Sequence, residues 1–226
     1  MASARERLAA FYDIRAGEEP ESDPEALLRF RKALTAADLR PGERVLDVGA
    51  KRGVLAVTAR ELGLEIAYTG ADVSPENVAA AQAVGLDVRA ADVSERLPFD
   101  DAAFDCVFCL ELLEHLVAPL TLLEEIRRVL DERGRAVISV PSPYSWVEVA
   151  RELFRLHDPE GHLTAFTTPV IANLAALAGF RVERRLGTSV RIPKTSRVIA
   201  TNSILTRSRL YVLRPSARVR FAGREI

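Results

Sequence analysis

The stretch Arg44–Gly53 reads RVLDVGAKRG and joins a short apolar strand to a glycine-containing turn. The apolar residues stop at Gly49, and the residues from Val54 to Leu62 after Gly53 can form a helix. Such a turn lets a ligand approach backbone N–H groups and the positive end of the helix. About 20 residues later a second apolar strand ends at Asp72, an acid suited to the two hydroxyls of a ribose. The sequence therefore predicts a bound cofactor that contains a nucleoside.

The glycine spacing argues against a nicotinamide dinucleotide, whose fingerprint needs Gly-x-Gly-x-x-Gly. The stretch instead resembles the first motif of class I S-adenosylmethionine (SAM) methyltransferases, V-L-D-x-G-x-G-x-G. The matching residues are Val45, Leu46, Asp47, Gly49 and Gly53. Lys51 stands where that family usually has its middle glycine. Its side chain is expected either to crowd the cofactor or to point to solvent.

Three later segments resemble the same family, in the same order along the chain. Ala91–Val93 resembles the third motif, whose Asp takes the adenine amino group, and Leu97–Asp105 resembles L-P-F-x-D-x-x-F-D. Gly134–Pro141 resembles the fifth strand of the family. The resemblance covers about residues 42–186 and implies SAM as the cofactor, with S-adenosyl-L-homocysteine as the product. The cofactor-binding residues that it implies are Asp47, Gly49, Ala50, Lys51, Gly53, Asp72, Val73, Asp92, Val93 and Leu110.

Strands and helices alternate along the chain, which is typical of a parallel α/β protein. Strands are predicted near 44–48, 67–72, 87–90, 104–109 and 135–140. Helices are predicted near 53–62, 75–84, with Ser74 as its N-cap, 119–131 and Pro169–Ala178. Phe180–Leu186 and Ser208–Arg214 are predicted to close the sheet as an antiparallel pair. The resemblance implies a Rossmann-like methyltransferase fold: a seven-stranded, mostly parallel sheet with an antiparallel C-terminal strand and helices on both faces.

Three parts are expected along the chain. Residues 1–40 form an N-terminal helical cap with helices at 3–15 and 24–38, residues 41–214 form the SAM-binding domain, and residues 215–226 form a basic tail. Residues 141–168 are expected to be a substrate lid within the domain, with a helix at 147–156. Tyr144 and Trp146 offer either a wall for a ring-shaped acceptor or an anchor for that helix.

Charge is distributed unevenly along the chain. Residues 181–226 hold 12 basic and 2 acidic residues, a balance of +10, whereas the other 180 residues hold 19 and 30, a balance of −11. This asymmetry indicates an anionic partner, arginines that pair with the acidic body, or a solvated edge. Few aromatic residues interleave with the arginines, which makes nucleic acid the less favoured partner. A small-molecule acceptor that can carry negative charge is the favoured one.

Two polar segments hold the three histidines of the chain. If a helix begins just after Leu110, then Glu111, Glu114 and His115 share one face, and His115 can accept a proton from the acceptor. His157 and His162 lie in the second segment, between the fifth strand and the Pro169 helix. The candidate catalytic residues are His115, Glu111 and His162.

The E-x-x-E-H pattern resembles that of ubiquinone-pathway O-methyltransferases and small-RNA 2′-O-methyltransferases. In those families the two Glu and the His hold a divalent metal, joined in the RNA enzymes by a later His. The ligands that this implies here are Glu111, Glu114, His115 and His162, or His157 in place of His162. Carboxylates with imidazole suit Mg²⁺, Mn²⁺ or Fe²⁺. A metal-free polar site and purely structural roles are the alternatives.

The expected function is methyl transfer from SAM to a small molecule, at a hydroxyl oxygen of a sugar, a quinone or phenol, or a secondary metabolite. An RNA-end 2′-O-methyltransferase and a catalytically weak binding or regulatory protein of the same fold remain open. No apolar run reaches the roughly 18 residues of a membrane span. Cys106 and Cys109 are expected on opposite faces of one strand, as buried residues in a reducing cytoplasm. A cytoplasmic monomer or homodimer is therefore expected.

Overall fold

The structure, a computed structural model, describes residues 23–192 and 197–225. Its main sheet has seven strands, in the order β3-β2-β1-β4-β5-β9-β6. They are β1 (Arg44–Val48), β2 (Ala67–Asp72), β3 (Val88–Ala90), β4 (Phe104–Leu110), β5 (Leu130–Pro141), β6 (Phe180–Gly187) and β9 (Ser208–Pro215). Strands β1 to β5 pair in parallel, and β9 is antiparallel to both of its neighbours. The fold class predicted from the sequence is confirmed.

Six α-helices connect these strands in the described ranges. They are α1 (Pro24–Ala37), α2 (Val54–Glu61), α3 (Pro75–Ala83), α4 (Pro119–Val129), α5 (Trp146–Phe154) and α6 (Thr168–Leu177). The Ser74 side chain accepts a hydrogen bond from Asn77 N at the start of α3, which confirms the predicted N-cap. The predicted helix at 3–15 lies outside the described residues.

Two apolar cores flank the sheet. One contains residues of α4 and α6, among them Leu122 and Ile171, and the other contains residues of α1 and α2, among them Leu34 and Leu55. Cys109 belongs to the first core and Cys106 to the second, which confirms that the two thiols point to opposite faces. Burial raises the pKa of Cys106 to about 12, so this thiol stays protonated.

Several elements differ from their predicted bounds. Strand β5 begins at Leu130 rather than 135, because Gly134 permits a close approach: a Cβ there would lie 2.9 Å from Asp105 O. Two short hairpins were not predicted, because strands of two or three residues leave too weak a pattern. They are β7 (Ser189–Arg191) with β8 (Val198–Ala200), and β10 (Arg220–Phe221) with β11 (Arg224–Glu225). Among the described helices, none has the length and apolar character needed to cross a bilayer.

Candidate functional site

The predicted cofactor residues come together at the carboxyl edge of the parallel strands. The glycine loop follows β1, Asp72 ends β2, Asp92 follows β3 and Leu110 ends β4. Because β1 to β4 are parallel neighbours, their carboxyl ends meet at one edge of the sheet, where this class of fold binds ligands. We call this region the cofactor edge.

Asp72 is fixed by the loop that it faces. Its buried carboxylate accepts hydrogen bonds from the backbone N–H of Lys51 at 2.7 Å and of Ser74 at 2.9 Å. Asn77 Nδ2 adds a third at 3.3 Å. A carboxylate has about four acceptor positions, so the described protein contacts leave room for a ribose hydroxyl.

The glycine loop has the backbone shape that glycine permits. Gly49 and Gly53 have φ of +77° and +83°. A Cβ on Gly49 would lie 3.1 Å from Leu112 Cδ2, so side chains would also crowd this turn. Lys51 adopts φ of +47° although it is not glycine, and its side chain is exposed. Of the two expectations for Lys51, the exposed orientation is the one observed.

Asp47 differs from Asp72 because only one hydrogen bond to its side chain comes from the described residues. The Tyr68 hydroxyl donates to Asp47 Oδ2 at 3.1 Å, from the neighbouring strand β2. Burial and the nearby charge of Asp72 raise the pKa of Asp47 to about 7, although the Tyr68 hydrogen bond lowers it. Tyr68 is not among the residues predicted from the sequence, because its only signal is a hydroxyl-bearing aromatic residue in a partly buried strand.

The remaining cofactor candidates differ in exposure. Ala50 and Val93 are buried, Leu110 is half-buried, and Val73 is 53% exposed. The Asp92 carboxylate accepts a hydrogen bond from Ser94 N at 2.8 Å, a local turn that fixes its direction. A buried floor with two oriented carboxylates, Asp72 and Asp92, and an open glycine turn fits a nucleoside-containing ligand such as SAM.

A helix starting just after Leu110 is not observed. Glu111 has φ of +51°, and a short 3₁₀ turn at Leu113–His115 replaces the expected α-helix. The Glu111 carboxylate turns toward β5 and β9, where it accepts hydrogen bonds from Ser139 Oγ at 2.8 Å and Ser208 Oγ at 2.9 Å. The expectation that Glu111 shares a helical face with Glu114 and His115 is therefore wrong. The left-handed backbone at Glu111 breaks the helical spacing.

Glu114 is a buried carboxylate that receives no hydrogen bond to its side chain from the described residues. Its side chain is 1% exposed, and neither oxygen has a hydrogen-bond partner among the described residues. Its backbone carbonyl accepts hydrogen bonds from Leu163 N at 2.8 Å and Thr164 N at 3.2 Å, which attaches the second histidine segment. Burial and the nearby Glu111 raise the pKa of Glu114 well above its ordinary value of 4.5.

Three side chains from the two histidine segments meet in one cluster. Ligand atoms of Glu114, His115 and His162 all lie within 4.8 Å of one another. The two imidazole rings are 5.0 Å apart. This Glu-His-His cluster (Glu114, His115 and His162) lies beside the carboxyl end of β4. It brings together three of the four residues in the expected metal set and does not include Glu111.

His162 is oriented by two acids of its own segment. Its Nδ1 lies 2.9 Å from Asp158 Oδ2, and its Nε2 lies 3.4 Å from Glu160 Oε2. Burial lowers the pKa of His162, but Glu160 and Asp158 outweigh it, so the pKa lies above its ordinary 6.5. His157, the alternative ligand in the sequence analysis, is exposed and is not part of the Glu-His-His cluster.

The expected lid carries exposed apolar side chains. Trp146 donates through Nε1 to Arg191 O at 3.1 Å, which attaches the start of α5 to β7. Helix α5 has no buried residue, and Leu153 and Phe154 are each 73% exposed. Tyr144 lies against the guanidinium of Arg209, 5.5 Å from its ring centroid. Trp146 therefore anchors the start of α5, while Tyr144 and the apolar side chains of Leu153 and Phe154 in α5 are exposed.

Comparison with known proteins gives a consistent family. A family model described as a methyltransferase domain matches residues 21–184. The ubiquinone biosynthesis O-methyltransferase of Xanthomonas axonopodis pv. citri (strain 306) is 31% identical over 180 residues, which cover 73% of this chain and 74% of that protein.

Solved structures share the fold at low sequence identity. The putative methyltransferase of Haloferax volcanii, solved in complex with the Trm112 methyltransferase activator, aligns with a TM-score of 0.75 at 22% identity, covering 92% of this chain and 97% of that one. A SAM-dependent methyltransferase of Thermotoga maritima, described as a possible histamine N-methyltransferase, aligns with a TM-score of 0.63 at 18% identity, covering 83% and 90%. At these identities the likeness concerns the fold alone.

Proposed function

Because this chain belongs to the class I SAM-dependent methyltransferase family, we propose that it methylates a hydroxyl oxygen of a small-molecule acceptor, with a phenol or quinol ring as the preferred class. The enzyme class and the cofactor follow from the family. The acceptor is our proposal. The relative from Xanthomonas supports it, since that protein is named as an O-methyltransferase of ubiquinone biosynthesis.

The observation that carries the proposal is the position of the Glu-His-His cluster. It follows the carboxyl end of β4, the strand whose neighbour β1 leads into the glycine loop. A group bound at the cofactor edge and an acceptor above β4 would therefore be neighbours. His115 is the member of the cluster that we assign as proton acceptor for the hydroxyl.

The cofactor supplies a methyl group that is already activated by its sulfonium. The main task of the protein is then to align the acceptor oxygen and to exclude water, which lowers such barriers by several kcal/mol, up to about 7–11. Asp72 and the glycine loop would hold the ribose and the amino-acid part. Tyr144 and the exposed face of α5 would cover the ring of the acceptor.

Glu111 has a positioning role in this proposal rather than a chemical one. Its carboxylate is bonded to Ser139 and Ser208, and Arg29 Nη1 lies 3.7 Å away. These contacts connect the loop after β4 to β5, β9 and α1. Glu111 would thereby fix the loop that carries Glu114 and His115. His162 would supply the third side chain of the Glu-His-His cluster.

A divalent metal fits the Glu-His-His cluster. The Glu114 carboxylate is buried without a hydrogen bond among the described residues, and two imidazoles lie within reach of it. One carboxylate with two imidazoles suits Mn²⁺, Fe²⁺ or Zn²⁺. Glu114, His115 and His162 would hold the ion once one ring nitrogen of His162 leaves the carboxylate of Asp158 or Glu160. The ion would acidify an acceptor hydroxyl when bound.

The experiment that tests the function is methyl transfer with labelled SAM. The purified protein is incubated with SAM and catechol-type phenols, and the labelled products are identified by mass spectrometry. We expect methyl ethers of the phenol and release of S-adenosyl-L-homocysteine. Saturable SAM binding by calorimetry without transfer to any hydroxyl would contradict the proposed function and leave a binding protein of this family.

Metal use is decided in the same assay. If the cluster holds a metal, a chelator should abolish turnover. Readdition of Mn²⁺, Fe²⁺ or Zn²⁺ should then restore it. Glu114→Gln serves as the matched variant, since it keeps the shape of the side chain and removes a charged ligand. Full activity after chelation would leave the metal-free mechanism with His115 as the base.

A further inference from the structure

Several arginines of the basic C-terminal region pair with acids of the protein body. Arg207 lies 2.9 Å from Glu148 and 2.6 Å from Glu160. Arg191 lies 2.8 Å from Asp23. These pairs account for part of the charge asymmetry that the sequence shows, without any external anion.

Arg185 and Arg209 are arginines of the region with a different environment. Arg209 is half-buried, and its hydrogen bonds go to neutral acceptors: Ser142 Oγ at 3.4 Å, Thr168 Oγ1 at 3.0 Å and Ile204 O at 3.3 Å. Arg185 is exposed. Within residues 23–192 and 197–225, neither guanidinium pairs with a carboxylate. Both charges therefore remain available to an anion.

The two guanidiniums line one cavity. The register of β6 and β9 places Arg185 opposite Tyr211 and Gly187 opposite Arg209, so both arginines lie on one face of the sheet. The cavity has a volume of about 220 Å³ and is also lined by Asn202, Ser203 and Thr206. The Thr206 hydroxyl is already hydrogen-bonded to the backbone of residues 188, 189 and 208. The Asn202 amide and the Ser203 hydroxyl beside two guanidiniums form a donor-rich site that matches a carboxylate or a phosphate.

A third cation, Lys32, contacts the backbone of a residue that lines the cavity. Lys32 Nζ donates to the carbonyl oxygens of Gly187 at 2.8 Å and Thr201 at 2.9 Å. Both acceptors are neutral backbone groups. Lys32 therefore contributes positive potential near Gly187, and no acid of residues 23–192 and 197–225 pairs with its ammonium group.

We propose that the Arg185–Arg209 cavity binds an anionic group, a carboxylate or a phosphate, of the methyl acceptor. This assignment to the acceptor rests on the proposed function. Strand β9, which carries Arg209, is two strands from β4. With strands about 4.8 Å apart, the cavity lies roughly 10 Å from the residues that follow β4. A substituted ring with a short acidic arm spans this distance.

Direct binding is tested first, with inorganic phosphate as the probe in calorimetric titrations of the full chain. We expect saturable binding that Arg209→Gln and Arg185→Gln each weaken by about tenfold, the effect of losing a charge-assisted hydrogen bond. Arg181→Gln is the matched control, because Arg181 is an exposed arginine of β6 that does not line the cavity. Circular dichroism establishes that each variant is folded, and Arg185→Gln is informative even if Arg209→Gln is not.

Absence of saturable phosphate binding, or equal weakening by Arg181→Gln, would overturn the inference. Neither result depends on methyl transfer. The phosphate titration therefore decides whether the cavity binds anions, even if the proposed function fails.

The role toward the acceptor is tested with two catechols, 3,4-dihydroxybenzoate and the neutral 4-methylcatechol. We expect wild type to methylate a ring hydroxyl of 3,4-dihydroxybenzoate with a higher kcat/KM than that of 4-methylcatechol. Arg209→Gln should lower the ratio of the two kcat/KM values by about tenfold and leave the SAM dissociation constant unchanged. Phosphate binding combined with equal kcat/KM for both catechols would contradict the acceptor role and indicate a site for free anions.

Discussion

The cofactor edge and the Glu-His-His cluster lie side by side but differ in how the protein stabilises their buried carboxylates. At the cofactor edge, Asp72 at the end of β2 accepts hydrogen bonds from the backbone of Ser74, two residues later, and of Lys51, in the loop after the neighbouring strand β1. In the cluster, Glu114 is buried without a hydrogen bond in the described structure, and its neighbour His162 comes from 48 residues further along the chain. The first region is held in place locally, whereas the second depends on distant segments.

This difference leads us to expect separate roles for the two regions, cofactor binding at the cofactor edge and chemistry at the cluster. A carboxylate whose hydrogen bonds are supplied by the loops of two neighbouring strands is preorganised, and its cost to the fold is small. A buried carboxylate without hydrogen-bond partners destabilises the folded state. A protein retains such a group when the group has a function. We therefore expect substitutions at the cluster to change turnover, and those at the cofactor edge to change cofactor affinity.

The largest effect should come from His115→Ala. If His115 accepts the proton, its loss should lower kcat by roughly 10²- to 10⁴-fold, the range for general bases. The dissociation constant of SAM should stay unchanged, because His115 belongs to the cluster. Initial rates with labelled SAM and calorimetry measure the two quantities. His157→Ala is the control, and parallel loss of binding and turnover would indicate a structural role for His115.

Asp47 tests the comparison from the cofactor side, because it is the buried acid there with a raised pKa. Burial raises the pKa of Asp47 from 3.8 to about 7 in the folded protein. The folded state therefore holds this proton more tightly, and its contribution to stability falls as pH rises from about 4 to 7. Asp47→Asn should increase the free energy of unfolding at pH 8 by up to about 4 kcal/mol and leave it nearly unchanged near pH 4.

Chemical denaturation across pH measures this slope. Asp105→Asn provides a control of opposite sign, since the hydrogen bond from Arg44 lowers the pKa of Asp105. Its stabilising contribution is present above its unfolded pKa and is lost as pH falls. A stability difference between wild type and Asp47→Asn that does not change with pH would show that Asp47 is not titrating in the folded state.

Asp72→Ala should raise the dissociation constant of SAM by about 10- to 100-fold, because hydrogen bonds to a charged acceptor contribute about 1.5–3 kcal/mol. The same variant removes the anchor of the glycine loop. Asp87→Ala is the matched control, since Asp87 is an exposed acid just before β3, away from the cofactor edge. Calorimetry that gives equal affinity for Asp72→Ala and wild type would rule out the ribose role.

The smallest effect should follow Lys51→Gly. Glycine removes the strain of the left-handed backbone at this position, but it also raises the conformational entropy of the unfolded chain. The two effects oppose each other, and each changes the free energy of unfolding by about 1 kcal/mol. Because the Lys51 side chain is exposed, the SAM dissociation constant should change by less than about threefold. Comparison with Lys51→Ala isolates the backbone contribution. A tenfold change in either direction would mean that the lysine side chain contacts the cofactor.

Local signals made the cofactor edge predictable from the sequence. The strand, the glycine turn and the helix start of the first motif lie within 20 residues, and the N-cap at Ser74 was also predicted. The hydrophobic pattern likewise predicted the order of the strands and helices. The hydrophobic pattern did not predict the role of Tyr68. A single hydroxyl that bonds an acid on the neighbouring strand leaves no periodic signal in the sequence.

The cluster was harder to predict because its geometry is not local. The spacing of Glu111, Glu114 and His115 fits a helix, and nothing in the sequence marks the positive φ at Glu111. The partners of that carboxylate, Ser139 and Ser208, are 28 and 97 residues away. The sequence thus identified residues of the cluster but not which of them meet.

The antiparallel strand β9 has a consequence for how the enzyme matures during synthesis. It is inserted between β5 and β6, although β6 precedes it in the chain. As a nascent polypeptide leaves the ribosome, strands β1 to β5 can assemble first, while β6 lacks a partner until residues 208–215 emerge. Long-range pairings of this kind are slow to form. Ser208 reaches Glu111 only at that stage, so competence to hold the cofactor should precede catalytic competence.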